Sequence, residues 1–437
     1  MPKLSGFPEL LPAERIAEQQ VLDHLRSVFE LHGFANIETR AVEPVAELLR
    51  KGEIDKEVYG IRRLSSEGPE KDDLALHFDL TVPFARYVVE NANELAFPFR
   101  RYQIQKVWRG ERPQQGRFRE FTQADIDIVG RDDLPFHADV EIARVMAEAL
   151  AGLPIPAMTL QVNNRKLLEG FYLGVGAADP AAVMRVVDKL DKVPADKILE
   201  LLQTDAGLSE EQARLCLALS ELTGDVVPQV RALGVQHPVL DEGLTELQQV
   251  LDGTRDVQGV TVVADLRIAR GLDYYTGTVF ETRMAGYEHL GSICSGGRYD
   301  QLARDNRSTY PGVGISLGVS RLIVPLVADG FTATRAVPSA VLVALLDEDA
   351  RPAADAVATA LRGRGIATEV AMKPQKLGQQ IKQAEKRGVP FVWFPGSPTE
   401  DHRVRDIRSG EQTAADPATW TPPADDLRPG ITKEKSL

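Results

Sequence analysis

Two alternating segments separated by one long loop constrain the fold of this chain more than any other feature. Residues 99–109 read FRRYQIQKVWR and residues 121–129 read FTQADIDIV, and both alternate between apolar and polar positions as β-strands do. The loop between them, GERPQQGRFRE, contains glycine and is rich in arginine. The pattern predicts an antiparallel hairpin with an unusually large tip.

The polar positions of the two segments share one face within each strand, because side chains alternate with a period of two. These polar side chains are Gln103, Gln105, Arg109, Gln123, Asp125 and Asp127. A solvent-exposed strand gives the same pattern, so that interpretation stays open. If the two polar faces coincide, the sheet carries amide, carboxylate and guanidinium groups on one platform, which suits a zwitterionic or phosphorylated ligand.

The loop of the hairpin adds a cluster of charges: Glu111, Arg112, Arg117 and Arg119. Arginine recognises phosphate through its bidentate donor geometry, although a solvated charged loop has the same composition. The segment GVGISLG at 312–318 does not supply a glycine cradle for phosphate. It has Leu317 where the dinucleotide fingerprint needs glycine, and the chain has no Gly-Lys-Ser/Thr. If ATP binds, we therefore expect arginines such as Arg321 to hold it, unless Arg321 is only a surface cation.

Three further segments have both a structural and a functional interpretation. RGLDYYTGTVFE, residues 270–281, is either the mouth of a site or a tight entry into a strand, and its adjacent tyrosines point to opposite sides if the segment is extended. The glycine pair of CSGGRYD, residues 294–300, permits a turn or bulge, or a close approach by a ligand. In HFDLTVPFARY, Asp79 and Thr81 suit a helix N-cap, or an ammonium ligand.

Bulk properties narrow the class of protein. At 437 residues the chain is too long for one core. The net charge of −13 argues weakly against nucleic acid, whereas the basic segment 373–387 is either a local nucleic-acid-binding surface or only a solubilising helix face. Two distant cysteines match no zinc or redox spacing and favour a reducing cytoplasm. We expect no signal peptide and no membrane helix.

Taken together, these motifs resemble those of the histidine-specific aminoacyl-tRNA synthetases, a class II family, over nearly the whole chain. VWRGERPQQGRFREFTQADIDIVG is similar to class II motif 2, and GVGISLGVSRL is similar to motif 3. RGLDYYTGTVFE and CSGGRYD resemble two motifs that are peculiar to the histidine enzymes. The last two carry the specificity of the resemblance, because motif 2 alone indicates only class II.

The resemblance implies an α+β fold: a class II antiparallel-sheet catalytic domain of six strands with a helical insertion, followed by a C-terminal α/β anticodon-binding domain. We place the catalytic domain at residues 1–330, its insertion at 165–255, a linker at 331–338 and the anticodon-binding domain at 339–437. A homodimer is also implied.

The implied reaction is that of a histidine–tRNA ligase. ATP, accompanied by Mg²⁺, activates L-histidine to histidyl-adenylate and diphosphate, and the histidyl group then passes to the 3′ end of tRNA(His). Positions that match the family's motifs carry the implied roles, with no protein-held metal. For the amino acid they are Asp79, Thr81 and Gln123 at the α-amino group, and Asp127 and Tyr275 at the imidazole with Tyr274 beside them. For ATP they are Arg109 at the α-phosphate, Glu111, Arg117 and Arg321.

Arg270 matches the catalytic arginine that spans the carboxylate and the α-phosphate, a place where many class II enzymes use a metal. Gln114 lies in the loop that meets the acceptor end of the tRNA. Two departures from the family pattern stand out: DLT where many bacterial relatives have EGT, and Val319-Ser320 where an acidic residue often precedes the arginine of motif 3.

The main alternative is a catalytically inactive relative, a regulatory subunit of the ATP phosphoribosyltransferase of histidine biosynthesis. Such proteins usually lack the C-terminal domain and parts of the histidine-specific motifs, whereas residues 339–430 and RGLDYYTGTVFE are present here. A nucleic-acid-binding module without chemistry does not explain the coincidence of motif 2, motif 3 and Arg270.

Overall fold

The structure, a computed structural model, describes most of the chain in six ranges, and the predicted catalytic Arg270 lies outside them. The described residues are 4–49, 57–64, 73–190, 193–268, 274–396 and 400–433. Contacts divide the chain into two units, residues 1–8 with 22–324 and residues 9–21 with 325–437.

The first unit holds most of the secondary structure, and helices α1 and α11 each cross its boundary. Its strands are β1 (Ala35–Asn36), β2 (Val42–Pro44), β3 (Gly60–Ile61), β4 (Leu74–Leu76), β5 (Phe99–Trp108), β6 (Glu120–Val129), β7 (Met158–Asn164), β8 (Val260–Ala264), β9 (Thr278–Met284), β10 (Cys294–Arg304) and β11 (Thr309–Gly318). Its helices are α1 (Pro12–Leu31), α2 (Val45–Leu48), α3 (Thr81–Glu90), α4 (His137–Ala151), α5 (Arg165–Gly174), α6 (Pro180–Val187), α7 (Ala195–Thr204), α8 (Glu210–Ser220), α9 (Val226–Ala232), α10 (Pro238–Thr254) and α11 (Val319–Ala328).

One large sheet organises this unit. Over the described ranges its order is β1-β5-β6-β11-β10-β9-β7-β8. The six strands from β5 to β7 in this order are all antiparallel to their neighbours, while β1 and β8 pair in parallel at the two edges. The implied six-stranded antiparallel sheet is therefore present, with one parallel strand added at each edge. The α+β fold class is confirmed.

The hairpin predicted from the alternating segments is formed by β5 and β6. Gln103 lies opposite Asp125 and Gln105 lies opposite Gln123, so the two polar faces coincide. The apolar face of β6, with Ile126 fully buried, lies in the core, and α4 packs against β6 and β11. One side of the sheet is thus closed by a helix, and the other carries the polar platform.

Helices α5 to α10 occupy the interval in which the sequence predicted a helical insertion. Asn164 starts α5 by accepting hydrogen bonds from the backbone N–H groups of Lys166 and Leu167. Ser209 and Gln212 form a reciprocal capping box at the start of α8. These local signals explain why short helices form between the Gly, Pro and Asp residues of this stretch.

The second unit has its own mixed sheet and its own core. Its strands are β12 (Phe331–Ala333), β13 (Val341–Val343), β14 (Thr368–Val370), β15 (Phe391–Phe394), β16 (Arg403–Asp406), β17 (Gln412–Ala414) and β18 (Ile431–Lys433). Its further helices are α12 (Arg351–Gly363), α13 (Leu377–Arg387) and α14 (Ala424–Leu427).

In the main sheet of this unit, β13 pairs in parallel with β14 and β15, and β16 and β17 continue it in antiparallel fashion. This is the α/β texture expected after residue 339. Within the predicted linker, β12 pairs with β18, which lies at the far end of the described chain. None of the helices described in either unit is long and apolar enough to cross a membrane.

Candidate active site

A cavity of about 350 Å³ opens on the polar face of the large sheet. Its wall includes seven of the residues predicted for the site: Arg109, Glu111, Arg117, Gln123, Tyr274, Tyr275 and Arg321. They come from β6, α11, the loop of the hairpin and the segment before β9. The fold therefore brings together side chains that are separated by more than two hundred positions in the sequence.

Small residues on β10 and β11 make room for the cavity and for the groups beneath it. A Cβ atom on Gly314 would lie only 2.1 Å from Oδ1 of Asp127, and one on Gly297 would lie 2.9 Å from Cδ1 of Tyr275. Gly297 lies inside β10, and the irregularity of that strand comes later, between Tyr299 and Ala303. The glycine pair of CSGGRYD therefore permits close packing, and not a turn or bulge.

Asp127 is buried beneath the cavity, where residues of β5 and β10 contact its carboxylate. Its Oδ2 lies 2.6 Å from Nη2 of Arg101 on β5. Its Oδ1 accepts a 2.7 Å hydrogen bond from the hydroxyl of Tyr299 on β10. Burial raises the pKa of Tyr299 well above its ordinary value, and the nearby carboxylate of Asp127 adds to this. Tyr299 consequently remains a hydrogen-bond donor at every physiological pH.

Tyr274 and Tyr275 lie side by side on the cavity wall, with ring centroids 4.2 Å apart. Opposite directions were expected only for an extended segment, and this segment does not join a strand until β9 begins at Thr278. Burial raises the pKa of Tyr275 well above its ordinary value, with contributions from Tyr274, Asp127 and Tyr299. Tyr275 is half-buried, and its hydroxyl is close enough to Asp127 and Tyr299 to be affected by their charge.

Asp125 lies next to this group, opposite Ser316 and Gln103 in the sheet. Burial raises its pKa to about 7, although the guanidinium of Arg101 opposes the rise. Its Oδ1 is buried without a hydrogen-bond partner among the described residues. Asp125, Asp127 and Arg101 thus lie together, and we call these three residues the floor of the site. The positive charge of Arg101 offsets part of the negative charge of the two carboxylates.

Gln123 presents a polar group directly to the cavity. Its amide nitrogen donates to Oγ of Ser316, while its Oε1 is buried without a hydrogen-bond partner in the described part of the chain. A buried carbonyl oxygen of this kind suits a donor on a ligand, since unpaired buried acceptors are costly.

Asp79 and Thr81 are not part of the cavity wall. Asp79 is buried and accepts a 3.1 Å hydrogen bond from the backbone N–H of Val82, in the first turn of α3, and Thr81 is the first residue of that helix. Leu80 and not Asp79 is therefore the N-cap residue of α3, and Asp79 bonds the first turn from one position earlier. Its carboxylate is also close enough to Asp125 to contribute to the raised pKa of that residue, so it borders the floor of the site.

Arg109 lies at the boundary between the hairpin and its loop. Its Nε donates to the carbonyl of Phe78 at 3.0 Å, and its guanidinium stacks 5.1 Å from the ring centroid of Phe121. This double contact fixes the plane of the guanidinium on the cavity wall. Phe78 directly precedes Asp79, so Arg109 also ties the Asp79 segment to the hairpin.

The remaining predicted charges lie toward the loop. Arg117 is exposed and pairs with Glu111 at 3.2 Å, and Arg321 donates to the carbonyl of Leu290. Gln114 is exposed in a tight turn, where it exchanges backbone hydrogen bonds with Arg117. The departure before Arg321 has a structural role, because Ser320 accepts a 2.9 Å hydrogen bond from the backbone N–H of Thr122 on β6.

Several residues of the site were not singled out from the sequence. Tyr299 is inside CSGGRYD, and Glu281 ends RGLDYYTGTVFE and lines the cavity. Arg101 lies two positions before Gln103 on β5 and so shares its polar face, which is the signal that could have identified it. No group of three or more His, Cys, Asp or Glu side chains placed to hold a metal ion occurs in the described ranges.

Comparison with known proteins gives a consistent result along the chain. A family model described as histidyl-tRNA synthetase matches residues 6–322, and one described as an anticodon binding domain matches residues 340–418. Histidine–tRNA ligase of Micrococcus luteus is 58% identical, and that of Cutibacterium acnes is 55% identical, each with 98% of both chains covered.

The solved structure of histidyl-tRNA synthetase from a Nostoc species is 34% identical and superposes with a TM-score of 0.85, covering 95% of this chain and 96% of that one. Since a family model covers more than half of the sequence and close relatives align along nearly all of it, the chain belongs to the histidyl-tRNA synthetase family.

Proposed function

We propose that this chain activates L-histidine with ATP to form histidyl-adenylate and diphosphate, and then transfers the histidyl group to tRNA(His). The observation that supports the proposal most strongly is the composition of one cavity. It places arginines for phosphate next to a buried carboxylate–tyrosine group that suits an imidazole. Neither an apolar pocket nor a simple phosphate site needs arginines together with a buried carboxylate–tyrosine group.

In this proposal Asp127 and Tyr275 bind the imidazole. A carboxylate accepts a hydrogen bond from a ring N–H, and a phenol can serve the other ring nitrogen. A competing amino acid without these nitrogens would leave the buried groups unpaired, which discriminates strongly against it. Tyr274 packs against the ring of Tyr275 and shapes the pocket.

The α-ammonium group of histidine is assigned to Asp79, Thr81 and Gln123. The buried carbonyl oxygen of Gln123 supports this role, because it lacks a donor and belongs to a residue that lines the cavity. Asp79 contributes negative charge from the border of the same floor. Together they would orient the carboxylate of the substrate toward the nucleotide.

Arginines carry the chemical step. Attack of the histidine carboxylate oxygen on the α-phosphorus forms a new P–O bond and releases diphosphate, and it brings two anions together. We assign Arg109 and Arg270 to offset this repulsion, with Arg321 near the γ-phosphate and Glu111 and Arg117 at the nucleotide. Fixed guanidiniums stabilise the developing charge without a proton transfer. Mg²⁺ enters the reaction with ATP, as the ion of the nucleotide substrate.

The second unit would bind the anticodon arm of the tRNA, the helices between 165 and 255 would form the insertion near its acceptor arm, and Gln114 would approach its 3′ end. A homodimer and a cytoplasmic location belong to the proposal as predictions from the resemblance and from cysteine usage. The regulatory-subunit alternative is not favoured, since relatives named histidine–tRNA ligase match 95% or more of the chain at 50% identity or more.

Histidine-dependent ATP–diphosphate exchange tests the activation step. We expect exchange with L-histidine and none with the other amino acids. A protein that binds histidine but catalyses no exchange would contradict the proposal.

The role of Arg270 has a separate test. Arg270→Ala should lower the exchange rate by about 10² to 10³, because one preorganised donor is removed from the transition state. Its circular dichroism spectrum should stay close to that of the parent protein. Exchange at a near-normal rate would exclude the role assigned to Arg270.

A further inference from the structure

Arg101 is a fully buried arginine on the floor of the candidate site. Its side chain has 0% of its surface exposed. Its guanidinium lies 4.1 Å from the ring centroid of Phe84 on α3 and 2.6 Å from Oδ2 of Asp127. Gln103, two positions along β5, lies within 3.4 Å. The Phe84 ring and the Asp127 carboxylate therefore take the place of water around this guanidinium.

The charges that surround Asp127 come from several elements. Asp125 lies on the same strand, Arg101 on β5, Tyr299 on β10, and Tyr275 on the segment before β9. Asp79, before α3, adds its charge at Asp125. Arg101 is the cation in direct contact with Asp127 within this set, and the tyrosines are neutral donors. The carboxylate therefore already has its counter-charge before any ligand arrives.

This arrangement discriminates between the two protonation states of an imidazole. A neutral imidazole brings an N–H donor to Asp127 and adds no charge to the buried floor. An imidazolium would place a second cation close to Arg101, where low polarity strengthens the repulsion and withdraws the ring charge from water. The cost falls on the charged ligand, because a guanidinium group stays protonated in proteins.

We infer that Arg101 is a positioning residue that makes the site select histidine with a neutral side chain. The inference rests on the proposed function, in which Asp127 and Tyr275 take the imidazole. It assigns to Arg101 a role through Asp127 and not a contact with the reacting atoms.

The pH dependence of KM for histidine tests this selection in the wild-type chain. An imidazole with a pKa of about 6.5 is mostly neutral at about pH 7.5 and mostly charged at about pH 5.5. If only the neutral form binds, KM measured by diphosphate exchange should be about tenfold higher at the lower pH. A triazole analogue of histidine, whose ring stays neutral over this range, separates substrate titration from titration of Asp125. Its KM or inhibition constant should change little.

Substitution of Arg101 then tests the residue. In Arg101→Met, Asp127 loses its counter-charge and an imidazolium can supply it, so the rise in KM for histidine toward acidic pH should nearly disappear. Arg101→Lys keeps a cation and should keep the rise. Arg100→Met is the matched control, because Arg100 is the adjacent residue of β5, is partly exposed and pairs with Glu141. It should leave the pH profile unchanged.

The outcomes separate the inference from the function on which it rests. If wild-type KM does not change with pH, or if Arg101→Met retains the full tenfold rise, the inference is wrong while histidine activation still stands. If the wild-type chain catalyses no histidine-dependent exchange, the proposed function itself fails. Where Arg101→Met folds poorly, the comparison of Arg101→Lys and Arg101→Gln at both pH values gives the same decision.

Discussion

Gly314 controls how closely Asp127 can approach the sheet. The absence of a side chain on β11 lets the carboxylate lie directly over the strand, where Tyr299 and Arg101 reach it from either side. A glycine inside a strand normally weakens it, because it packs nothing and loses more backbone freedom on folding. Here the weaker strand accompanies the close placement of the Asp127 carboxylate, so Gly314 contributes to the geometry of the site as well as to the sheet.

A methyl group at this position should disturb the site more than the fold. Gly314→Ala puts a carbon 2.1 Å from Oδ1 of Asp127, so the carboxylate must move. We expect about 2 kcal/mol less free energy of unfolding, in the range of other overpacked cores. KM for histidine should rise by at least an order of magnitude. Urea denaturation and exchange kinetics measure the two effects.

Gly378 provides the control, because a Cβ atom there meets nothing within 4 Å and the residue is exposed in the first turn of α13. Gly378→Ala should stabilise the chain slightly through the lower entropy of its unfolded state, with KM for histidine unchanged. Equal values of KM for histidine in the two variants would show that Gly314 does not position Asp127.

The same site shows which residues a sequence can reveal. Alternation is local, so the polar platform with Gln123 and Asp127 could be predicted from a period of two. The contact between Arg101 and Asp127 depends on the register of two strands, which the sequence does not specify until the loop length and geometry are known. For Tyr274 and Tyr275, the point at which the strand begins decides their directions, and the start of an element is the least certain part of any such prediction.

Among the elements, α4 and β10 are joined beneath the sheet by a buried ion pair between Asp139 and Arg298, with a separation of 2.8 Å. Arg298 also contacts Asp300, whose carboxylate accepts a hydrogen bond from Thr276. Thr276 directly follows the two tyrosines. The pair therefore links the helix behind the sheet to the segment that forms part of the cavity wall.

The two members of this pair should differ in how they respond to substitution. Burial raises the pKa of Asp139 to about 6, even though Arg298 opposes the rise. The charged form is thus disfavoured in the folded state, and Asp139→Asn should cost little at neutral pH. Arg298→Met leaves a buried carboxylate without its partner and should lower the free energy of unfolding by about 3 kcal/mol or more. Asp241→Asn, in an exposed pair with Arg231, should stay within about 1 kcal/mol of the parent.

The raised pKa also sets a pH dependence. Between its ordinary pKa near 3.8 and about 6, Asp139 binds more protons in the folded state than in the unfolded state. Stability that this residue contributes at low pH is therefore lost as the pH rises through about 6. The free energy of unfolding of the wild type, relative to Asp139→Asn, should fall across this window. A constant difference would contradict the assignment.

At the scale of the whole molecule, the chain combines two units with different surfaces. Although the net charge of the whole chain is −13, helix α13 of the second unit is basic. On α13, Ala384 is buried and Ile381 packs against the core of this unit, whereas Lys382 and Lys386 are exposed. The order of its elements could be predicted from alternating strand and helix patterns. The burial of Gln380, which bonds both backbone groups of Leu345, could not, since it follows from tertiary packing.

The exposed lysines of α13 give a test of the role of this unit. Replacing Lys382 and Lys386 by Ala should raise KM for tRNA in the charging reaction and lower the salt dependence by about one unit of slope for each phosphate that is no longer neutralised. Diphosphate exchange should not change, because the cavity lies entirely in the first unit. Replacing the exposed Gln379 and Gln383 of the same helix by Ala controls for the smaller side-chain volume. Equal effects on charging would show that charge is not what matters.

Within the second unit, the pairing of β12 with β18 brings the two ends of the segment 331–433 together. Phe331 lies opposite Lys433, and Ala333 lies opposite Ile431. The strands β13 to β17 and the helices α12 to α14 therefore lie between two strands that pair with each other. A fragment limited to residues 340–418, the part that the anticodon-domain model matches, would lack both strands and α14. A fragment that is meant to keep this strand pairing should therefore extend at least from residue 331 to residue 433.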